Sequence, residues 1–229
     1  MIPQRIRSTP WLAFTSRLVL LTGIIAVLPS AAHSQPSFDC RKASSAAEKT
    51  VCADPGLARL DKQLAAQYKS LVRSFTDEDQ IAQIKLDQNH WLSTRNACAA
   101  AAECLSKTYR ERLSRLTGAD RDYPAAGLFE AGEVGTFALY PLAGQYLVSI
   151  QTAKPQTGAW TCDVAGHAKM DSGALHVTSG SFSFPVVLRD ERTLVVEPGK
   201  EVSAAQADAC GLNGTFTLSF TRHASPDNH

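Results

Sequence analysis

The 229-residue sequence predicts an α+β protein in two parts: a disulfide-stapled N-terminal helical bundle, then a small antiparallel β-barrel or sandwich. Three observations carry that expectation. Apolar residues recur at three- and four-residue spacing from Phe38 to Leu116, then switch to two-residue alternation after Gly118. Six cysteines, Cys40, Cys52, Cys98, Cys104, Cys162 and Cys210, make an even set with room for three disulfides. At 44% hydrophobic and 20% charged, the chain can bury a core. Its formal net charge of +1 lacks the basic excess of a nucleic-acid binder, so no nucleic-acid partner is expected.

Residues 1–34 read as an export signal. Arg5, Arg7 and Arg17 form a basic start, and Leu18 to Leu28 is an apolar run of 11 residues, short of the roughly 18 that span a bilayer. Cleavage after Ala32 or Ser34 satisfies the small-x-small rule, and Ser34 is preferred. Ser37-Phe38-Asp39 before Cys40 is a poor lipobox, so no membrane anchor is expected. The expected location is the periplasm or the exterior of a bacterial cell.

In the helical domain, residues 35–118, Ser45-x-x-Glu48 is a capping box that opens a short helix carrying Val51 and Cys52. Asp54-Pro55-Gly56 breaks it. Leu57, Leu60, Leu64, Tyr68, Leu71, Val72 and Phe75 form one stripe; Ile81, Ile84, Gln88, Trp91, Leu92 and Arg95 form a second. Leu105, Tyr109, Arg112 or Leu113, and Leu116 form a third, ended by Gly118. A linker is expected at 119–125, a β-rich domain at 126–224 and a tail at 225–229. Strand candidates are Thr136–Tyr140, Gln145–Ile150, Trp160–Val164, Ala174–Thr178, Phe182–Leu188, Thr193–Val196 and Gly214–Thr221. Residues 35–118 hold 13 basic and 10 acidic groups; residues 119–229 hold 7 and 12, which makes the β half the more acidic.

In an oxidising compartment the cysteines are staples rather than nucleophiles. Cys162 with Cys210 is the economical pairing in the β half. For the other four, 40–52 with 98–104 is local, whereas a helix over 43–52 would separate Cys40 from Cys52 and favour 40–104 with 52–98. Asp61 and Arg95 sit on the stripes of successive helices, where antiparallel packing would bring them together as a charge-assisted pair with Gln88 nearby. Thr76-Asp77-Glu78-Asp79 lies between two stripes, where Thr76 can cap the next helix and the acids favour its dipole. His90, His167, His176 and His223 are scattered, and neither a Gly-x-Ser-x-Gly elbow nor a His-Glu-x-x-His pair occurs. Catalytic residues, a metal and a cofactor are not expected.

Cys40, Glu48 with Cys52, Leu57, Leu60-Asp61, Leu64 and Tyr68, then Gln88, Trp91-Leu92, Arg95, Cys98, Cys104-Leu105, Tyr109 and Arg112 give an order and spacing that resembles the N-terminal domain of the LprI-type lysozyme inhibitors. The resemblance covers about residues 38–118. It implies an exported, non-catalytic protein whose partner is lysozyme and which protects peptidoglycan. The β half, with Trp160-Thr161-Cys162 and Cys210-Gly211-Leu212-Asn213-Gly214, loosely resembles small secreted barrels such as the MliC-type inhibitors. It lacks their Ser-Gly-x-x-Tyr loop; Ser179-Gly180-Ser181-Phe182 is the nearest string. An inhibitor must place a rigid loop or helix end in the substrate cleft. Animal lysozymes are typically basic, so Asp77, Glu78 and Asp79 are the expected contact residues. The alternative is a periplasmic module without inhibitory activity. It would bind envelope glycan, with Tyr140, Tyr146 or Trp160 stacking on a sugar, or dock on another envelope protein.

Overall fold

A computed structural model describes residues 35–171 and 173–223, so the expected leader at 1–34 and tail at 225–229 lie outside the described residues. The described residues all belong to one compact unit. A single 3₁₀ turn, Cys40–Lys42, leads into four helices: α1 (Ala46–Ala53), α2 (Pro55–Arg73), α3 (Glu78–Ala97) and α4 (Ala102–Thr117). Eight strands follow: β1 (Gly127–Glu130), β2 (Gly135–Leu142), β3 (Gln145–Ala153), β4 (Thr161–Asp171), β5 (Ala174–Ser179), β6 (Phe182–Asp190), β7 (Thr193–Val195) and β8 (Ser219–Arg222). A fifth helix, α5 (Lys200–Ala209), separates the last two. The strands pair antiparallel in sequence order, and β8 returns to β1 to close a barrel rather than a sandwich.

Local chemistry sets the helix ends. Ser45 Oγ accepts from the Glu48 amide while the Glu48 carboxylate reaches back to the Ser45 amide, which completes the capping box. Asp54 does more than end α1. Its Oδ1 accepts from the Gly56 and Leu57 amides, and Pro55 takes the first helical position of α2, where no donor is needed. Gly118, at φ +79°, ends α4 in the left-handed conformation that glycine adopts without steric cost.

The barrel strands bury both faces wherever helices cover them. Phe137 and Leu139 of β2 point into the barrel core, whereas Ala138 and Tyr140 join the helical core. In β3, Tyr146, Val148 and Ile150 face inward and Leu147 faces the helices. Leu71, Phe75, Ile84 and Leu116 thus share one core with Leu128, Ala138, Tyr140 and Leu147. The barrel interior is filled by side chains, as eight strands dictate: Phe129, Phe184, Phe216 and Phe220 are fully buried within it.

Three elements differ in kind from the sequence expectation, and β4 runs to Asp171 where the expected strand ends at Val164. Strand β1 is four residues long, too short to show alternation, and is fixed by pairing with β2 and β8. Helix α5 carries only Val202 and Ala205 into the core, so its stripe is faint and alanine content supplies the helical preference. The expected strand Gly214–Thr221 pairs only from Ser219. Residues 215–217 are held instead by the Gln206 side chain, whose Oε1 accepts from the Phe216 and Thr217 amides at 2.9 and 3.2 Å and from the Thr215 and Thr217 hydroxyls.

Candidate functional site

The cysteines are paired 40–52, 98–104 and 162–210. The local pairing holds because α1 begins at Ala46, not 43. Residues 43–45 are extended and turn the chain back, leaving the Cα atoms of Cys40 and Cys52 5.8 Å apart. The third disulfide joins β4 to the end of α5.

Asp61 and Arg95 are buried, at 6% and 5% exposure, but they form no direct ion pair. Tyr109 of α4 stands between them. Its hydroxyl donates to Asp61 Oδ1 at 2.8 Å and accepts from Arg95 Nη1 at 3.3 Å. Burial beside Asp61 pushes the Tyr109 phenol up, so it remains a donor. Asp61 Oδ2 accepts from the Ser37 amide and hydroxyl at 2.7 and 2.6 Å, which ties the N-terminal segment to α2. Arg95 also donates to Asn96 Oδ1 and lies over the Trp91 ring.

Gln88 belongs to a second network. Its Oε1 accepts from Arg112 Nη2 at 3.1 Å, and Arg112 is paired with Asp87 at 2.7 Å. The Tyr140 hydroxyl accepts from Arg112 and donates to Asp87 Oδ2, so this cluster joins α3 and α4 to β2. Asp61, Gln88 and Arg95 nevertheless line one cavity of about 320 Å³, together with Phe38 and Trp91. The sequence reading placed Arg112 on a stripe but missed Asp87 and Tyr140 as its partners. The signal was an arginine in an apolar register, which demands buried acceptors.

The acidic segment between α2 and α3 is not a free tip. Ser74 and Phe75 are buried, and Gln151 Nε2 donates to the Ser74 carbonyl. Thr76 does not cap α3; its hydroxyl donates to Asp163 of β4 at 3.1 Å. Asp77 is the cap, with Oδ1 accepting from the Gln80 amide at 2.9 Å. Gln80 is itself buried and donates to the Val148 and Gly166 carbonyls at 3.2 and 2.7 Å, seating the first turn of α3 on β3 and β4. Glu78 and Asp79 remain exposed, beside the exposed Asp163 that sequence reasoning did not single out.

Two of the three aromatic residues offered for sugar stacking are closed to it, and the third, Trp160, is partly buried. Tyr140 and Tyr146 are buried, and the Tyr146 hydroxyl accepts from the Ala125 amide, with burial pushing the phenol up to about 12. Trp160 packs against the barrel core. His90, His167 and His176 are exposed on α3, β4 and β5, and His223 lies 3.0 Å from Glu130. Among the described residues no group of three or more His, Cys, Asp or Glu side chains is placed to hold a metal ion.

A four-helix segment with two local disulfides and the Asp61–Tyr109–Arg95 network is the geometry to set beside known proteins. Residues 40–116 match the family model Lysozyme inhibitor LprI. The LprI match runs from the first cysteine through α4 and ends before β1. It therefore includes both helical disulfides, the Asp61–Tyr109–Arg95 link, the Asp87–Arg112 pair with Gln88, and Asp77, Glu78 and Asp79, whereas Ser37 and Tyr140 lie outside it. Neither a curated protein nor a solved structure matches the chain. No helix among the described residues is long and apolar enough to cross a membrane.

Proposed function

We propose that the protein is an exported, non-catalytic lysozyme inhibitor that binds lysozyme and shields bacterial peptidoglycan. The observation that carries this reading is the LprI match over residues 40–116. The surface chemistry supports it. Glu78 and Asp79 project from the first turn of α3 and Asp163 projects from β4 beside them, forming an acidic edge suited to a basic partner. Gln80 and Phe75 anchor that edge, so little ordering entropy is lost on binding.

The test is a cell-wall lysis assay with the mature chain, residues 35–229, against chicken-type, goose-type and invertebrate-type lysozymes. The expected result is dose-dependent inhibition that saturates near one inhibitor per enzyme. No inhibition of any class, combined with retention on purified peptidoglycan, would replace this reading with envelope binding.

A further inference from the structure

We infer that the Leu212 loop is an apolar anchor: a preformed protrusion that inserts one leucine side chain into an apolar subsite of a concave cleft on a basic protein. This rests on the lysozyme reading above and adds to it an element outside the family-matched segment. Leu212 is 88% exposed, the most exposed of the large apolar side chains among the described residues. Leu86, at 69%, stands in mid-helix on α3, whereas Leu212 stands at a loop tip.

The backbone beneath Leu212 is held from several directions. Cys210 is bonded to Cys162 with Cα atoms 4.1 Å apart, and the same two residues form an isolated β-bridge. The Gly211 amide donates to the Thr161 carbonyl at 2.9 Å. The Gly214 amide donates to the Gly211 carbonyl at 2.8 Å, closing a four-residue turn with Leu212 and Asn213 at its centre. Asn213 takes the positive φ of +64° that this side chain tolerates better than most. Gly214 is packed against the disulfide so closely that a Cβ there would lie 2.8 Å from Cys210 Cβ and 3.1 Å from Cys162 Sγ. A leucine presented to water on so fixed a turn contributes no packing to this fold. It can be buried by a partner without first ordering the loop.

Charge specifies the partner. Asp163 follows Cys162 directly and accepts from Thr76, so the disulfide connects the Leu212 turn to the edge that carries Glu78 and Asp79. Two residues of chain reach at most about 7 Å, which keeps the Leu212 Cα within about 15 Å of the Asp163 Cα. Asp208, also exposed, lies two residues before Cys210. An apolar centre with an acidic flank fits a cleft whose rim is basic.

The experiment compares the mature chain with Leu212→Ala, Leu212→Asp and, as a control, Leu86→Ala, measuring the inhibition constant against lysozyme at several salt concentrations, with melting curves. Leu212→Ala should raise the inhibition constant at least tenfold with melting temperature and salt slope unchanged, and Leu212→Asp should raise it further with melting temperature unchanged, its added carboxylate steepening the salt slope. Leu86→Ala should match the wild type. If the wild type inhibits and both Leu212 variants stay within twofold of it, the anchor is overturned while the lysozyme reading stands. If the wild type binds no lysozyme, that reading falls and the anchor falls with it.

Discussion

The Arg112 guanidinium donates to the Tyr140 hydroxyl at 2.6 Å, and this bond crosses from helix α4 to barrel strand β2. Arg112 is 3% exposed, and its charge is answered by Asp87 at 2.7 Å. Removing one member of such a cluster strands the others in a low-dielectric site. Arg112→Ala is expected to cost about 3–5 kcal/mol of unfolding free energy. Tyr140→Phe should cost about 1–3 kcal/mol, because the Asp87–Arg112 pair survives it. Urea unfolding of both single variants and the double variant should show a double loss smaller than the sum.

The shared core predicts that the helical segment is not autonomous. Leu71, Phe75, Ile84 and Leu116 meet Leu128, Ala138, Tyr140 and Leu147 of the barrel, and a fragment ending at residue 118 would expose that face to water. Residues 35–118 alone, oxidised, should retain far-ultraviolet helix signal but lose near-ultraviolet ellipticity and a sharp thermal transition. A cooperative melt for the fragment would refute the prediction.

Glu48 gives the fold a pH dependence in acid. Amide hydrogen bonds from Ser45 and Ser44 lower its carboxyl to about 2, well below the usual carboxylate value. A group depressed in the folded state contributes stability that is present above its unfolded pKa and lost as pH falls through the folded one. Stability should therefore decline from about pH 4.5 toward pH 2, with Glu48 responsible for part of the slope. Glu48→Gln should be less stable at neutral pH by about 1 kcal/mol, the scale of a cap, and should show a shallower acid slope.

These side chains also show what the sequence made legible. The capping box, Gly118 and the two-residue alternation of β2 and β3 are local patterns, and local patterns survive in one dimension. The Asp61–Arg95 link did not, because its intermediary, Tyr109, was read only as an apolar stripe position. The register of three helices decides that its hydroxyl, rather than a direct ion pair, joins the two charges. The acidic segment was legible as a cap but not as a docked one. Thr76 and Asp163 are 87 residues apart and Gln80 and Gly166 are 86 apart, and nothing in either neighbourhood announces the other. Helix α5 was missed because Val202 and Ala205 are too sparse a stripe, although their three-residue spacing was present.

The docked geometry separates three acids that composition treats alike. Asp77 accepts from the Gln80 amide, whereas Glu78 and Asp79 face solvent. Asp77→Ala should lower unfolding free energy by about 1 kcal/mol through loss of the cap. Glu78→Gln with Asp79→Asn should leave the melting temperature nearly unchanged, slow association with lysozyme and flatten its salt dependence. Stopped-flow association rates at several ionic strengths check this. An unchanged salt slope would assign Glu78 and Asp79 to the helix dipole alone.

Two glycines three residues apart offer a last contrast within the Leu212 turn. A Cβ on Gly211 would meet the Thr161 carbonyl oxygen at 3.8 Å, an ordinary contact, and its φ is not in the left-handed region. A Cβ on Gly214 would meet Cys210 Cβ at 2.8 Å and the Gly211 carbonyl oxygen at 3.0 Å, both inside normal separations. Neither the disulfide-bonded Cβ nor the backbone oxygen can swing away, so the turn itself must shift. Gly214→Ala should therefore cost about 1–3 kcal/mol, the scale of overpacking, and weaken lysozyme inhibition as Leu212 is re-aimed. Gly211→Ala should be neutral or slightly stabilising by restricting the unfolded chain, with inhibition retained. Thermal melts and inhibition constants on the two variants decide the matter: equal inhibition by both would mean that the orientation of Leu212 has no part in binding.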